Sequence, residues 1–145
     1  MSSNPTLRIL LAVKDVLNHE ALITLLKLLP KDKAEIYVLH VLEFPFHTSL
    51  YDELVQPYID EAKKKFSELV KWIEMEGFNV QLRVVASRDI AEAILSEAEN
   101  LDANIVVLQK TLKKFRRRVR KVLRWTNLER VIDTSKRIVI IFPEV

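Results

Sequence analysis

Cysteine is absent from this chain of 145 residues, and glycine occurs once, at Gly77. Without cysteine the chain forms no disulfide, offers no thiolate nucleophile and has no cysteine-based metal site. The nucleophile elbow of serine hydrolases requires glycines around its serine, and the hydroxyl and carboxyl residues at 133–135 have none beside them. These two shortages exclude cysteine chemistry and argue against a serine hydrolase.

Long apolar runs are also absent. No stretch approaches the roughly 20 apolar residues that a membrane-spanning helix needs. The first residues, MSSNPTLRILLAV, carry no basic region before their short apolar run, so we expect no signal peptide. Hydrophobic residues make up 49% and charged residues 30% of the chain, as in globular proteins. We predict one domain over residues 1–145 and a cytoplasmic location.

Strand-like and helix-like segments alternate along the chain. Apolar or alternating runs of strand length predict five strands, at Leu7–Val13, Ala34–Phe44, Val80–Ala86, Asn104–Gln109 and Arg137–Pro143. Amphipathic segments lie between them and predict helices. This order predicts an α/β fold with a five-stranded parallel, doubly wound sheet and right-handed crossovers.

Residues with known preferences at helix ends mark three of these helices. Asn18 is predicted to cap the first helix, which Pro30 ends. The second helix is predicted to begin at Pro57 and to end at Gly77, since proline suits the first helical position and glycine the C-cap. The stretch PFHTSLYDELVQ before it is predicted to form a loop or a short helix. Ser87 is predicted to cap the third helix.

The charge of the chain is unevenly distributed. Of the 23 Lys and Arg residues, nine fall within residues 110–124, which leaves 14 against 20 acidic residues in the rest of the chain. The apolar residues of this basic segment recur at helical spacing, so we predict an amphipathic helix with its cations facing outward. Those outward cations are Lys113, Lys114, Arg116, Arg117, Arg118, Arg120, Lys121 and Arg124.

Two interpretations of the basic segment remain open. Its cations form a solvated face, paired with acids such as Asp52, Glu53 and Asp60 of the body or of a dimer mate. Alternatively they bind an anionic ligand, an acidic protein partner or nucleic acid phosphate without sequence preference. Phe115 is expected to pack in the core rather than stack on bases, so base recognition is not supported.

Four stretches of the chain resemble the universal stress protein family: RILLAV, LHVLEF, SRDIAEAILSEAENLDANIVVL and LERVIDTSKRIVIIFP. The resemblance covers nearly the whole chain. It implies the strand order 3-2-1-4-5, with a topology like that of the adenine nucleotide alpha hydrolases. It also implies a homodimer, which in this family is often formed by pairing of the last strands.

Many members of that family bind ATP through the motif Gly-x2-Gly-x9-Gly-Ser/Thr and through an aspartate that ends the first strand. The three glycine positions correspond here to Gln109, Leu112 and Trp125, and the aspartate position corresponds to Lys14. Only Thr126 matches, and twelve residues instead of nine separate the second and third glycine positions. Because a Cβ at these positions blocks the approach of phosphate to main-chain amides, we expect the usual ATP site to be absent.

The strand order implied by the resemblance still predicts where a ligand would bind. In doubly wound sheets, ligands bind at the carboxyl ends of strands where the connections diverge to opposite faces. Here that point lies between the first and fourth strands, so Lys14 and the pair Gln109–Lys110 would line the crevice. In an altered nucleotide mode, Lys110 and Thr126 would contact the phosphates and Asp15 the ribose.

Other polar residues give no sign of catalysis. His40, inside the second strand, is interpreted as a hydrogen-bonded structural residue and His47 as a loop residue. His19 is placed in the first turn of a helix, either as a polar helix-start residue or in contact with a ligand at the binding edge. The acids of the third helix, Glu92, Glu97 and Glu99, are interpreted as its solvent face. No pair of groups suggests acid–base catalysis, and we expect neither a bound metal nor a cofactor.

The sequence therefore predicts a non-enzymatic binding or regulatory module that engages an anionic partner through its basic helix. Two alternatives stay open. One is a nucleotide-binding stress protein with an altered phosphate loop, and the other is a structural domain for protein interaction.

Overall fold

A computed structural model describes residues 6–45, 52–110 and 127–145 of the chain. Strands and helices alternate in the order β1 Leu7–Ala12, α1 His19–Leu28, β2 Ala34–Glu43, α2 Asp52–Met75, β3 Asn79–Ser87, α3 Ile90–Asn100, β4 Ile105–Gln109, α4 Asn127–Thr134 and β5 Ile138–Phe142. Each strand boundary lies within one residue of its predicted position. The five runs of β-branched and apolar residues thus form the strands that they predicted.

All five strands are parallel and lie in the order β3-β2-β1-β4-β5. This confirms the predicted doubly wound α/β sheet. β1 lies at the centre, where Ile9 aligns with Ile36 on one side and Ile105 on the other. The connection from β1 to α1 and the connection from β4 to α4 therefore leave neighbouring strands at the same edge of the sheet.

The core consists of two apolar layers, one on each face of the sheet. Helices α1 and α2 cover one face, where Leu22 and Phe66 pack against Leu11. Helices α3 and α4 cover the other face, where Ile94 and Val131 join the cluster around Leu10. Because Leu10 and Leu11 point to opposite faces and are both buried, β1 is a strand buried on both sides, as its continuous apolar run predicted.

The predicted start of α2 is wrong. The helix begins at Asp52, and Pro57 lies inside it. Proline removes one main-chain hydrogen bond from a helix, and this cost disfavours helix on its amino-terminal side. Val55 is buried against the protein, and this burial stabilises the turn that precedes Pro57.

The predicted end of α2 at Gly77 is confirmed. Gly77 adopts a positive φ of 97°, a main-chain conformation that residues other than glycine rarely adopt. Its amide donates to the carbonyl of Glu74 at 3.0 Å, and the amide of Phe78 donates to the carbonyl of Ile73 at 3.4 Å. These two bonds form a Schellman motif, which satisfies the last carbonyls of the helix.

Two details of α3 correct the sequence interpretation. Asp89, not Ser87, caps the helix, because its carboxylate accepts from the amide of Glu92 at 3.2 Å while Ser87 is the last residue of β3. Glu97 is only 8% exposed, whereas we expected it on the solvent face. Its carboxylate accepts from Nε of Arg83 at 2.5 Å, and this partner on β3 explains why a charged residue lies inside.

Candidate functional site

The predicted crevice lies where the chain leaves β1 and β4. The structure places Lys14 and Asp15 after β1, and Gln109 and Lys110 at the end of β4. The remaining residues of the predicted site lie outside the described residues: Leu112, Trp125, Thr126 and the cations Lys113, Lys114, Arg116, Arg117, Arg118, Arg120, Lys121 and Arg124. The described part of the site therefore consists of Lys14, Asp15, Gln109 and Lys110 and the residues that contact them.

The side chain of Gln109 links three segments of main chain at this edge. Its Oε1 accepts from the amide of Asn18 at 2.7 Å. Its Nε2 donates to the carbonyl of Lys110 at 2.7 Å and to the carbonyl of Pro143 at 2.8 Å. Because both ends of the carboxamide are engaged, Gln109 joins the ends of β1, β4 and β5 as a structural residue.

Asn18 makes a second link between the same segments. Its Oδ1 accepts from the amide of Ala21 at 3.0 Å, which confirms its predicted role as the cap of α1. Its Nδ2 donates to the carbonyls of Pro143 at 3.1 Å and Glu144 at 3.5 Å. The sequence signalled the cap but not this contact, since the chain after β5 lies more than a hundred positions away.

Lys110 is held at the crevice by its main chain and by a charge. Its amide donates to the carbonyl of Phe142 at 3.0 Å. Its Nζ lies 3.9 Å from Oε1 of Glu144, and the two side chains are 58% and 33% exposed. The first cation of the basic segment therefore has a carboxylate beside it, which the sequence interpretation missed.

Asp15 forms an ion pair with Lys65, which reaches it from α2. The hydrogen bond from Lys65 and its positive charge hold the pKa of the Asp15 carboxyl below its ordinary value. The aspartate is therefore ionised at neutral pH. Its side chain is 80% exposed at the mouth of the crevice. No sequence pattern pointed to Lys65, because fifty residues separate it from Asp15.

Comparison with known proteins supplies the assignment of this fold. The model of the universal stress protein family matches residues 6–143. The chain belongs to the universal stress protein family. A comparison with curated proteins found no match.

Several solved structures share the fold of this universal stress protein. The hypothetical protein MJ0577 is 25% identical over 94% of this chain and 95% of its own, with a TM-score of 0.73. A universal stress family protein from Burkholderia pseudomallei is 21% identical over 94% and 95% of the two chains, with a TM-score of 0.67. A universal stress protein solved in complex with cAMP is 12% identical over 97% and 98%, with a TM-score of 0.59.

The histidines of this universal stress protein are placed largely as predicted. Nδ1 of His40 lies 2.9 Å from the carbonyl oxygen of Val13, so that this nitrogen carries the proton and donates it. The His40 ring also packs against Phe66, with 4.7 Å between ring centroids, which confirms a structural role. His19 is the first residue of α1, and His47 lies outside the described residues.

The described part of the chain holds neither a cluster of metal ligands nor a helix that could span a membrane. Within residues 6–45, 52–110 and 127–145, no three His, Asp or Glu side chains form a group that could hold a metal ion. None of the helices in that part of the chain is long and apolar enough to cross a bilayer.

Proposed function

We propose that this universal stress protein is a non-enzymatic binding module for an anionic partner. The contact surface is the crevice between β1 and β4 together with the basic segment at residues 110–124. The observation that carries this proposal is the position of Lys110, the first cation of that segment, whose amide donates to the carbonyl of Phe142 at the crevice. The usual nucleotide mode of the family is disfavoured by the Gln109 carboxamide. It stands at the first glycine position of the family motif and is fully bonded to main chain, so that position offers no open cradle for a phosphate.

Electrostatics supports an anion rather than a neutral ligand. The basic segment begins at Lys110, which lies at the crevice, and it contains no acidic residue. Positive charges at such short spacing repel one another, and a partner that brings negative charge relieves this repulsion. Such a partner releases counterions as it binds, so its affinity falls steeply with salt.

The decisive experiment replaces three central cations of the segment. Changing Arg116, Arg117 and Arg118 to alanine is expected to weaken binding of single-stranded RNA or heparin about tenfold to a hundredfold at low salt. For RNA, the slope of log affinity against log salt is expected to become shallower by about 2, because about 0.7 is lost for each phosphate contact removed. Fluorescence anisotropy over a salt series measures both quantities.

A matched control removes three cations from another surface. Lys63, Lys64 and Lys71 are exposed on α2, and their replacement with alanine changes the net charge equally. We expect this variant to lose much less affinity. Equal losses in the two variants, or no loss in either, would contradict the basic segment as the contact surface.

The nucleotide alternative has one observation in its favour. Asp15 is ionised and exposed at the mouth of the crevice, where it can accept hydrogen bonds from a ribose, and one protein of the same fold was solved with cAMP. Our proposal predicts no rise in Tm with ATP and Mg²⁺ at millimolar concentration. A ligand at 100 times its Kd would stabilise the protein by about 2.7 kcal/mol, which a thermal shift assay detects readily. A rise that disappears in Asp15→Asn would establish the alternative.

We also propose that the protein is a homodimer through its β5 edge. β5 is the last strand of the sheet, and its outer side has no partner among the described residues. Ile138 is 64% and Ile141 40% exposed, which is unusual for isoleucine on a strand. An edge with unpaired main-chain groups and apolar side chains is suited to pairing with a second copy.

If neither RNA, heparin nor nucleotide binds, the composition of native complexes would support the structural interaction domain instead.

A further inference from the structure

We propose that Glu144 is an internal competitor for the anionic partner. Its carboxylate lies beside Lys110 at the entrance of the basic segment and lowers the affinity of the crevice for anions. This inference rests on the proposed function, because it names a residue that regulates the same surface.

The main chain around Glu144 is fixed at the crevice by the cap residue of α1 and by residues at the end of β4. Asn18 donates to the carbonyl of Glu144, and both Asn18 and Gln109 donate to the carbonyl of Pro143. The amide of Lys110 donates to the carbonyl of Phe142. These bonds hold the carboxylate of Glu144 close to Lys110 without using the carboxylate itself, so the placement does not depend on the ion pair.

The ion pair itself is weak and open to solvent. Nζ of Lys110 and Oε1 of Glu144 are 3.9 Å apart, which is longer than a hydrogen bond, and both side chains reach solvent. Exposed pairs of this kind contribute little stability. An anionic partner gains little from a lysine that a carboxylate already neutralises, so it binds less tightly than it would to an uncompensated lysine.

The substitution Glu144→Gln isolates the charge. Glutamine is nearly the same size and leaves the carbonyls of Pro143 and Glu144 in place to accept from Asn18 and Gln109. We expect affinity for labelled single-stranded RNA to rise about twofold to fivefold at low salt, a range that corresponds to the strength of exposed ion pairs. The salt slope is expected to become steeper by about 0.7, as one further phosphate contact is made.

A double-mutant cycle separates this contact from a general effect of charge. In the wild-type background, Lys110→Gln is expected to change RNA affinity little, since Glu144 already engages the lysine. In the Glu144→Gln background, the same substitution should abolish the gain. If the gain persists without Lys110, then Glu144 acts through the overall field, and the inference is wrong.

Glu76→Gln provides the matched control for net charge. Glu76 is exposed after the end of α2, near the amino ends of the strands and so at the opposite end of the sheet from Glu144. Its neutralisation should leave RNA affinity within a factor of about 1.5. An equal gain in Glu76→Gln and Glu144→Gln would overturn the inference. Thermal unfolding of each variant checks that the fold is retained.

Failure of this inference is distinguishable from failure of the proposed function. If wild type binds RNA through the three arginines but Glu144→Gln changes neither affinity nor slope, only the role of Glu144 is rejected. If no variant binds RNA, both proposals are rejected. Binding that appears only in Glu144→Gln would support the competitor in its strongest form.

Discussion

Arg83→Ala is expected to lower the free energy of unfolding by roughly 3 kcal/mol, which corresponds to about 10 °C in Tm. The substitution leaves the Glu97 carboxylate, only 8% exposed, without the guanidinium that donates to it at 2.5 Å. Removing one member of a buried ion pair strands an uncompensated charge. Since Arg83 itself is 38% exposed, water relieves part of this cost, and we place the loss at the lower end of the usual range.

The double variant Arg83→Met with Glu97→Leu tests this reason directly. Replacing both partners with apolar residues of similar volume removes the stranded charge, and stability is expected to return to within about 1 kcal/mol of wild type. Calorimetry or urea titration of wild type, Arg83→Ala and the double variant measures the three stabilities. If Arg83→Ala and the double variant are destabilised alike, then lost packing, not an unpaired carboxylate, explains the effect.

Replacing Ile138 and Ile141 with lysine is expected to raise the dimer Kd at least about 100-fold. A twofold interface repeats each substitution on both subunits, so that four charges would be buried without partners. Each 1.4 kcal/mol of unfavourable burial is a factor of ten in Kd, and two such increments are a modest estimate. Analytical ultracentrifugation over a concentration series gives the Kd of both proteins.

The control for this experiment is Met75→Lys. Met75 is an exposed apolar residue at the end of α2, so its substitution changes charge and exposed apolar area without altering β5. We expect the control to dimerise like wild type. A wild-type protein that stays monomeric, or a double variant with an unchanged Kd, would show that the β5 edge is not the interface.

Much of the fold could be predicted because burial leaves a periodic trace in the sequence. The run around Leu10 and Leu11 is continuously apolar because β1 is covered on both faces, and that run located the central strand. Gly77 marked the end of α2 because few other residues adopt its positive φ. The sheet order followed from these strands and from the family that they resemble.

The wrong predictions share one cause. Each inferred the position of a residue from its type, whereas the tertiary contacts of that residue determine its position. Glu97 lies three residues after Ile94 and so belongs to the buried stripe of α3. Its charge favoured a position on the solvent face, but the ion pair with Arg83 allows it to be buried. Pro57 has the preference of a first helical residue, yet the burial of Val55 extends the helix before it. Ser87 and Asp89 are both common caps, and the end of β3 selected between them.

The candidate site divides in the same way. Lys14, Asp15, Gln109 and Lys110 could be placed at one edge, because parallel strands bring their carboxyl ends together. Their partners could not be named, since Lys65 lies 50 positions from Asp15 and Pro143 lies 34 positions from Gln109. Side chains so far apart in the chain meet only through packing, and local patterns carry no record of that.

By itself, the sequence determined the strands, the parallel sheet, the family and a run of positive charge that begins directly after the fourth strand. Only the tertiary structure decided that Gln109 is bonded into the main chain, that Glu144 stands beside Lys110 and that Glu97 has Arg83 as its partner. The physical reason is range. Periodicity and turn preferences act over a few residues, whereas ion pairs and side-chain hydrogen bonds join whatever the folded chain brings within a few ångströms.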